Sequence, residues 1–307
     1  MNKIATLVGC AIGDALGNPF EMKQVSSPDL KAWDGKFKAG GTFWVGEAGQ
    51  YTDDTLMSIA LASSLIENNG FVPGRVAEEY LAWYKSGNTR GIGNTTAGAM
   101  VNLKEGATWL NSGLTKSGGL PAGGNGTAMR AAPIGLWYRR DLMELLAVAF
   151  DDAMITHNSF EPQIGSVAVA LGTAFLANGG LDNKELLDEV IGVLPTHSEV
   201  HKKISLALSH VENGTDDFAA LAEIGVSGYV PETVGAAFYC LGATDNFRDA
   251  VVLAVRAGGD TDTTAAIVGA LAGTYYGLDA IPSEYKDQVE NFQLLQDLTD
   301  ELVNNGI

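Results

Sequence analysis

The sequence predicts an all-α fold, a compact multi-helix orthogonal bundle forming a single domain over residues 1–307. Three observations predict it. Apolar residues recur at three- and four-residue steps in many separate segments, no segment alternates with the period of two that marks a half-buried strand, and the connectors are rich in Gly and Asn without a βαβ rhythm.

The first helix is carried by Ile4, Leu7, Val8, Ala11, Ile12 and Ala15; it ends near Gly17-Asn18-Pro19 with Asp14 in its last turn. A second, residues 56–66, follows Asp54. Helical periodicity returns at 76–83, from Leu142, from Glu161, from Asn183, at 201–211, after Pro231, from Asn246 and after Asp262. The last of these, 265–276, is built of unusually small residues. Gly269 and Gly273, with Ala265, Ala266, Ala270 and Ala272, let a partner helix approach closely, which suits a central helix and would fix its N-terminus firmly. The longest irregular stretches, 18–51 and 106–125, exceed ordinary connections and are expected to wall a site.

Nineteen basic against 37 acidic side chains give a net charge of −18, which disfavours a broad grip on nucleic acid or anionic lipid. The acidity attracts divalent cations and serves solubility equally well. Apolar residues make up 46% of the chain, enough for a large core. Cys10 and Cys240 each sit in an apolar run, so a disulfide framework is not expected and a reducing, cytoplasmic setting is. The N-terminus shows no basic region, apolar core or cleavage site of an export signal. The uncharged stretches 164–181 and 263–278 are broken by Gly, Ser, Thr and Asn and read as buried helices, so no membrane partner is expected.

Two segments concentrate hard oxygen donors. Tyr51-Thr52-Asp53-Asp54-Thr55 precedes one helix and Gly258-Gly259-Asp260-Thr261-Asp262-Thr263-Thr264 precedes another. Each alone is accounted for by N-capping, since Thr and Asp satisfy free N–H groups and complement the helix dipole. Two such copies in one chain suggest a shared site for Mg²⁺, Mn²⁺ or Ca²⁺, and no Cys/His set exists for a softer metal. His197 and His201 stand at metal-ligand spacing but lack the further ligand a site requires. Glu21 lies on a loop after the Gly-rich end of the first helix, where a lone glutamate is ordinarily solvated. Gly123-Gly124-Asn125-Gly126-Thr127-Ala128-Met129-Arg130 and Arg90-Gly91-Ile92-Gly93-Asn94-Thr95-Thr96 are Gly-rich loops whose amides can face phosphate. His157, in Thr156-His157-Asn158-Ser159, is expected to open a helix among polar neighbours.

In this order the motifs GDALGNPFE, QYTDDTLMSIAL, RGIGNTT, GNGTAMRAAPIG, ITHNS and GGDTDTTAAIVGALAG resemble the ADP-ribosylglycohydrolase family over about residues 9–277. The resemblance implies the all-α fold of that family and two Mg²⁺ or Mn²⁺ ions held by Thr52, Asp53, Asp54, Asp260, Asp262 and Thr263. It implies a cleft for ADP-ribose lined by Gly91, Gly93, Asn94, Gly123, Gly124, Asn125, Gly126, Met129 and His157, with Glu21, Asp53 and Asp262 in catalytic roles. The implied reaction is metal-dependent hydrolysis of the glycosidic bond between ADP-ribose and an acceptor, arginine on a protein foremost, with serine-linked, O-acetyl and poly(ADP-ribose) substrates as alternatives. An ADP-ribosylated protein or small ADP-ribose conjugate is thus the expected partner, and a monomer the expected state. Cleavage would pass through an oxocarbenium-like state that metal-held hydroxyls position and carboxylates stabilise, with water activated by metal or carboxylate. Two rival readings are a non-catalytic ADP-ribose-binding member of the same fold, like a lens crystallin, and a two-metal phosphohydrolase of nucleotide pyrophosphates.

Overall fold

The computed structural model describes residues 3–114, 116–117 and 120–307. Among them are sixteen α-helices: α1 (Thr6–Gly17), α2 (Pro28–Lys31), α3 (Asp53–Glu67), α4 (Pro73–Ser86), α5 (Asn94–Lys104), α6 (Ala132–Trp137), α7 (Leu142–Thr156), α8 (Phe160–Asn178), α9 (Asn183–Val193), α10 (Glu199–Asn213), α11 (Asp217–Ile224), α12 (Val230–Gly242), α13 (Phe247–Arg256), α14 (Thr261–Tyr276), α15 (Ser283–Lys286) and α16 (Phe292–Asn305). Among the described residues the strands are one antiparallel pair, Lys116–Ser117 with Leu120–Pro121, inside the long connection before α6. The fold is therefore all-α.

At its centre lie α1 and α14. Every residue of α1 is buried, and so are the first fourteen of α14, so neither shows a polar face. They run antiparallel with their backbones in contact. A Cβ added to Gly9 would lie 2.0 Å from the Gly269 carbonyl oxygen, and one added to Gly13 would lie 1.8 Å from that of Ala265. Glycine every fourth residue on α1 therefore meets the small face of α14, and nothing larger fits. Cross-links fix the register: Ala5 N–H donates to the Gly273 carbonyl (3.1 Å), the hydroxyls of Thr6 and Thr274 meet at 2.7 Å, and the Thr261 hydroxyl donates to the Gly17 carbonyl (2.8 Å). This register sets the last turn of α1 beside the first turn of α14, which brings Asp14 level with Asp260 and Asp262.

One contiguous core runs from Ala5 to Leu302. α8 is long and apolar enough to cross a membrane by length and composition, yet most of it is packed inside the protein. α16 closes the other side of α1, where Gln296 donates to the Ile4 carbonyl (2.9 Å) and the Thr299 hydroxyl accepts from Leu7 N–H (3.3 Å).

Several local expectations are corrected. Asp53 and Asp54 are the first two residues of α3, not a segment ahead of a helix beginning at Leu56. Asp262 likewise lies within α14, with Asp260 as its N-cap residue. His157 ends α7 as its C-cap; the next helix starts at Phe160. Helices α2, α5, α6, α11 and α15 carry too little apolar periodicity to have been anticipated; α16, with Phe292, Leu295, Leu298 and Leu302 at helical spacing, does carry it and was not among the expected helices.

Candidate active site

Both acidic motifs face one cavity. Its walls include Glu21, Asp53, Asp54, Asp260, Asp262 and Thr263, with Gly91, Gly93, Asn94, Gly124, Asn125, Gly126, Met129 and His157, around a volume of about 140 Å³. Thr95 and Thr96, unassigned by the sequence, complete the lining.

Capping does not explain the acids. Neither Thr52 nor Asp260 makes a side-chain capping bond to its own helix. The capping of α3 comes instead from Asp14, whose carboxylate accepts the N–H groups of Thr52 (2.9 and 3.0 Å) and Thr55 (3.1 Å) and both their hydroxyls (2.9 and 2.6 Å). Asp53 and Asp54 are thereby free to project into the cavity. Asp53 is anchored through its own N–H to the Arg90 carbonyl (2.8 Å), and Arg90 is held in place by Glu290 at 2.5 Å. Its loop lies so near that a Cβ on Gly91 would sit 3.1 Å from Asp53 Oδ1.

On the facing side, Asp260 Oδ2 accepts from Asn125 Nδ2 (2.9 Å), which also reaches the Thr233 hydroxyl (2.9 Å). Asp262 Oδ1 accepts the N–H of Thr263 at 3.0 Å. Ligand-type oxygens of Glu21, Asp260 and Asp262 lie within 4.8 Å of one another. The loop is tied back at Glu21 and at the next residue: the Glu21 carbonyl accepts from the Thr42 hydroxyl (2.6 Å), and Met22 N–H donates to the Gly259 carbonyl (2.7 Å).

So many carboxyls cannot all stay ionised in a buried pocket. Burial first, then the neighbouring Asp14, pushes Asp53 and Asp54 well above the usual carboxylate range. Burial and Asp260 raise Asp262 in the same way. Burial and Asp260 push Glu21 up to about 8, whereas Asp14, buried but wrapped in hydrogen bonds from Thr52 and Thr55, rises only to about 6. Asp54 Oδ1 and Asp260 Oδ1 are buried without any hydrogen-bond partner. Orphaned anionic oxygens surrounded by other acids fit hard divalent cations, which bind oxygen donors and offset this repulsion.

The opposite wall is built by a residue whose role the sequence concealed. Arg130 is fully buried and ion-paired to Asp152 (2.9 Å), which also accepts from the Tyr80 hydroxyl (2.7 Å). From there Arg130 donates to the Gly126 carbonyl (2.7 Å) and the Thr156 hydroxyl (2.8 Å), clamping the Gly-rich turn against the end of α7. His157 packs on that turn; a Cβ on Gly124 would meet its Nε2 at 3.3 Å. Burial and Arg130 lower its pKa to about 3, so the ring is neutral. The Thr156 hydroxyl, which accepts from Arg130, also meets His157 Nδ1 at 2.9 Å, so Nδ1 is engaged and Nε2 is the ring nitrogen left for the cavity.

Two expected residues are not on the cavity wall. Gly123 pairs its carbonyl with Val230 N–H (3.0 Å) and packs on the Tyr229 ring. Thr52 is fully buried, with its hydroxyl directed at Asp14 and at Asp54 Oδ2 (3.2 Å). Conversely, Gly91 to Asn94 is no simple loop: it delivers the N-terminus of α5 to the cavity, adding positive helix-dipole character opposite the acids. His197 takes no part, stacking on Phe160 at 5.1 Å.

A profile described as ADP-ribosylglycohydrolase matches residues 3–306. The chain is similar to the ADP-ribosylarginine hydrolase of Serratia proteamaculans, at 31% identity over 96% of this chain and 77% of that one. It is also similar to the ADP-ribosyl-[dinitrogen reductase] glycohydrolase of Rhodospirillum rubrum, at 29% identity over 94% and 90%. A solved structure titled ADP-ribosylglycohydrolase-related protein complex superposes with a TM-score of 0.79 and 28% identity, covering 99% of this chain and 97% of that one.

Proposed function

The chain belongs to the ADP-ribosylglycohydrolase family of hydrolases, and on that premise we propose that it hydrolyses the N-glycosidic bond between ADP-ribose and an arginine side chain of a protein. The observation that carries the proposal is the meeting of Asp53, Asp54, Asp260 and Asp262 with Glu21 in one cavity. Two divalent cations, Mg²⁺ or Mn²⁺, held by Asp53, Asp54, Asp260, Asp262 and Thr263, with Thr52 bracing Asp54 from behind, would supply the positive charge that orients the vicinal hydroxyls of the distal ribose.

The chain's own residues do the rest. The N-terminus of α5 and the turn at Gly124 to Gly126 flank the path of the pyrophosphate, beside the neutral imidazole of His157. Asp53 and Asp262 face the anomeric carbon, where carboxylates stabilise the developing oxocarbenium charge. Glu21, on its tethered loop beside Asp260 and Asp262, moves the proton: it takes one from the attacking water as the C1″–O bond forms, and one is returned to the guanidine nitrogen as the C1″–N bond breaks. The arginine linkage is preferred because relatives near 30% identity carry it or a dinitrogen reductase substrate in their names. Two buried free cysteines accord with a cytoplasmic setting.

The test is product analysis with Mg²⁺, Mn²⁺ or chelator on arginine-linked, serine-linked and O-acetyl ADP-ribose. Intact ADP-ribose released fastest from the arginine conjugate, in a metal-dependent way, supports the proposal. Release of AMP instead would point to pyrophosphate cleavage.

A further inference from the structure

Beside the cavity, an apolar groove begins at the residue after Glu21. Met22, Val25, Phe218, Leu221 and Val226 line it around about 490 Å³, and a depression of about 400 Å³ continues it past Leu30. Met22, Val25 and Phe218 are 60%, 45% and 45% exposed, a cluster of large apolar side chains that a folded chain ordinarily covers. Met22 is also held in the left-handed region, at φ 62°, a conformation a non-glycine residue adopts only when its surroundings impose it. What imposes it is the pair of main-chain bonds to Gly259, Met22 N–H to its carbonyl (2.7 Å) and Gly259 N–H to the Lys23 carbonyl (2.8 Å). The groove floor is thus bonded directly to the turn that carries Asp260.

Its charge opposes that of the protein. The chain has 19 basic and 37 acidic residues, yet Lys23, Lys31 and Arg256 line the groove and its continuation against one acid, Glu232. That acid is already engaged by the Ser227 hydroxyl at 2.6 Å. An otherwise strongly negative surface therefore carries a local positive rim around an apolar cleft, next to the group that handles the leaving atom.

We propose that this groove docks the acceptor polypeptide, gripping a segment in which apolar residues and acidic residues flank the modified side chain. The inference rests on the function proposed above. Apolar anchors supply the affinity and the cationic rim selects the register, as charge complementarity does at interfaces.

The probes are three: free ADP-ribosyl-arginine, a peptide with one ADP-ribosylated arginine flanked by Leu and Glu, and the same peptide with Lys in place of Glu. Wild type is expected to show a KM at least tenfold lower for the acidic than for the basic peptide. Phe218→Asp and the double variant Lys23→Glu with Lys31→Glu are expected to erase that difference while leaving kcat/KM on free ADP-ribosyl-arginine within twofold. Equal KM for the two peptides on wild type, or variants that slow all three probes alike, overturns the groove while the hydrolase assignment stands. Release from none of the probes overturns both. A wild-type dimer in sedimentation that Phe218→Asp makes monomeric would assign the groove to a second copy and overturn the acceptor proposal.

Discussion

Asp14 holds Thr55 by two bonds at once, its carboxylate accepting the backbone N–H at 3.1 Å and the hydroxyl at 2.6 Å. A residue on α1 thus caps α3, a task that Asp53 or Asp54 would otherwise perform at the expense of facing the cavity. Asp14→Ala leaves these donors without an acceptor and is expected to destabilise the protein by roughly 1–3 kcal/mol, the cost of a buried polar group left unpaired. Part of that loss is offset by relief of charge repulsion on Asp53. The variant is also expected to bind Mg²⁺ or Mn²⁺ more weakly, because the start of α3 is no longer fixed. Urea melts with and without metal measure both; unchanged metal-dependent stabilisation would show that α3 keeps its place without Asp14.

The packing of α1 on α14 yields a second expectation. Gly13→Ala puts a methyl 1.8 Å from the Ala265 carbonyl oxygen, so the helices must part. Overpacking of this kind costs about 1–3 kcal/mol, and more when only backbone can yield. Gly74→Ala on α4 is the control, since a Cβ there meets nothing within 4 Å; it should be neutral or slightly stabilising. A thermal melt of both distinguishes a backbone-to-backbone contact from a general intolerance of added methyls.

How much of this was legible in the sequence depended on the kind of signal. The two acidic motifs and the small face of α14 were legible because local spacing reports them. The dual role of Asp14 was not, since its partners Thr52 and Thr55 sit on another helix and no periodicity links them. α16 was legible, since Phe292, Leu295, Leu298 and Leu302 recur at helical spacing; what the sequence did not show is that Gln296 and Thr299 on the same face bond to the start of α1. α6 is buried on all sides and so has no polar stripe to reveal it. Arg130 looked like the tail of a Gly-rich loop, and only the fold pairs it with Asp152.

Glu21→Gln should leave metal-dependent stabilisation intact while lowering kcat about 10²-fold or more, the usual worth of a positioned acid-base group. KM should change little, because the amide keeps the shape of the loop that Thr42 and Gly259 anchor. Steady-state kinetics beside melting curves decide this; wild-type turnover would remove Glu21 from the proton path.

Stability without metal should fall as pH rises. Asp14 titrates near 6 and Glu21 near 8 in the folded protein, against ordinary values of 3.8 and 4.5. Between these limits the folded state binds more protons than the unfolded one, so stability decreases with pH from about 4 to about 8. Metal requires the ionised acids, so the stabilisation it confers should grow over the same window. Calorimetry in chelator and in Mg²⁺ at pH 5 and pH 8 tests the sign, and a chelated protein more stable at pH 8 than at pH 5 contradicts it. The large apolar core keeps the chelated chain folded throughout, so chelation should abolish activity without loss of helical circular dichroism.

The sharpest test falls on Asp262, which begins a helix and could be taken for a cap. Losing an N-cap costs about 0.5–2 kcal/mol and has no chemical consequence. Its one local bond, Thr263 N–H to Oδ1 at 3.0 Å, needs an oxygen but no charge, and asparagine keeps that oxygen. In chelator, Asp262→Asn removes a carboxyl that burial and Asp260 already push toward protonation, so the melting temperature should be unchanged or slightly raised. In Mg²⁺ or Mn²⁺ the variant should lose most of the stabilisation that a bound ion gives the wild type, which scales as RT ln(1 + [L]/Kd). Hydrolysis of ADP-ribosyl-arginine should become very slow. The cap reading predicts otherwise: because asparagine caps as well as aspartate, stability should stay unchanged with and without metal, and metal response and turnover should be preserved. If Asp262→Asn retains both the metal-dependent rise in melting temperature and full activity, the acids that converge on this cavity do not form a metal centre.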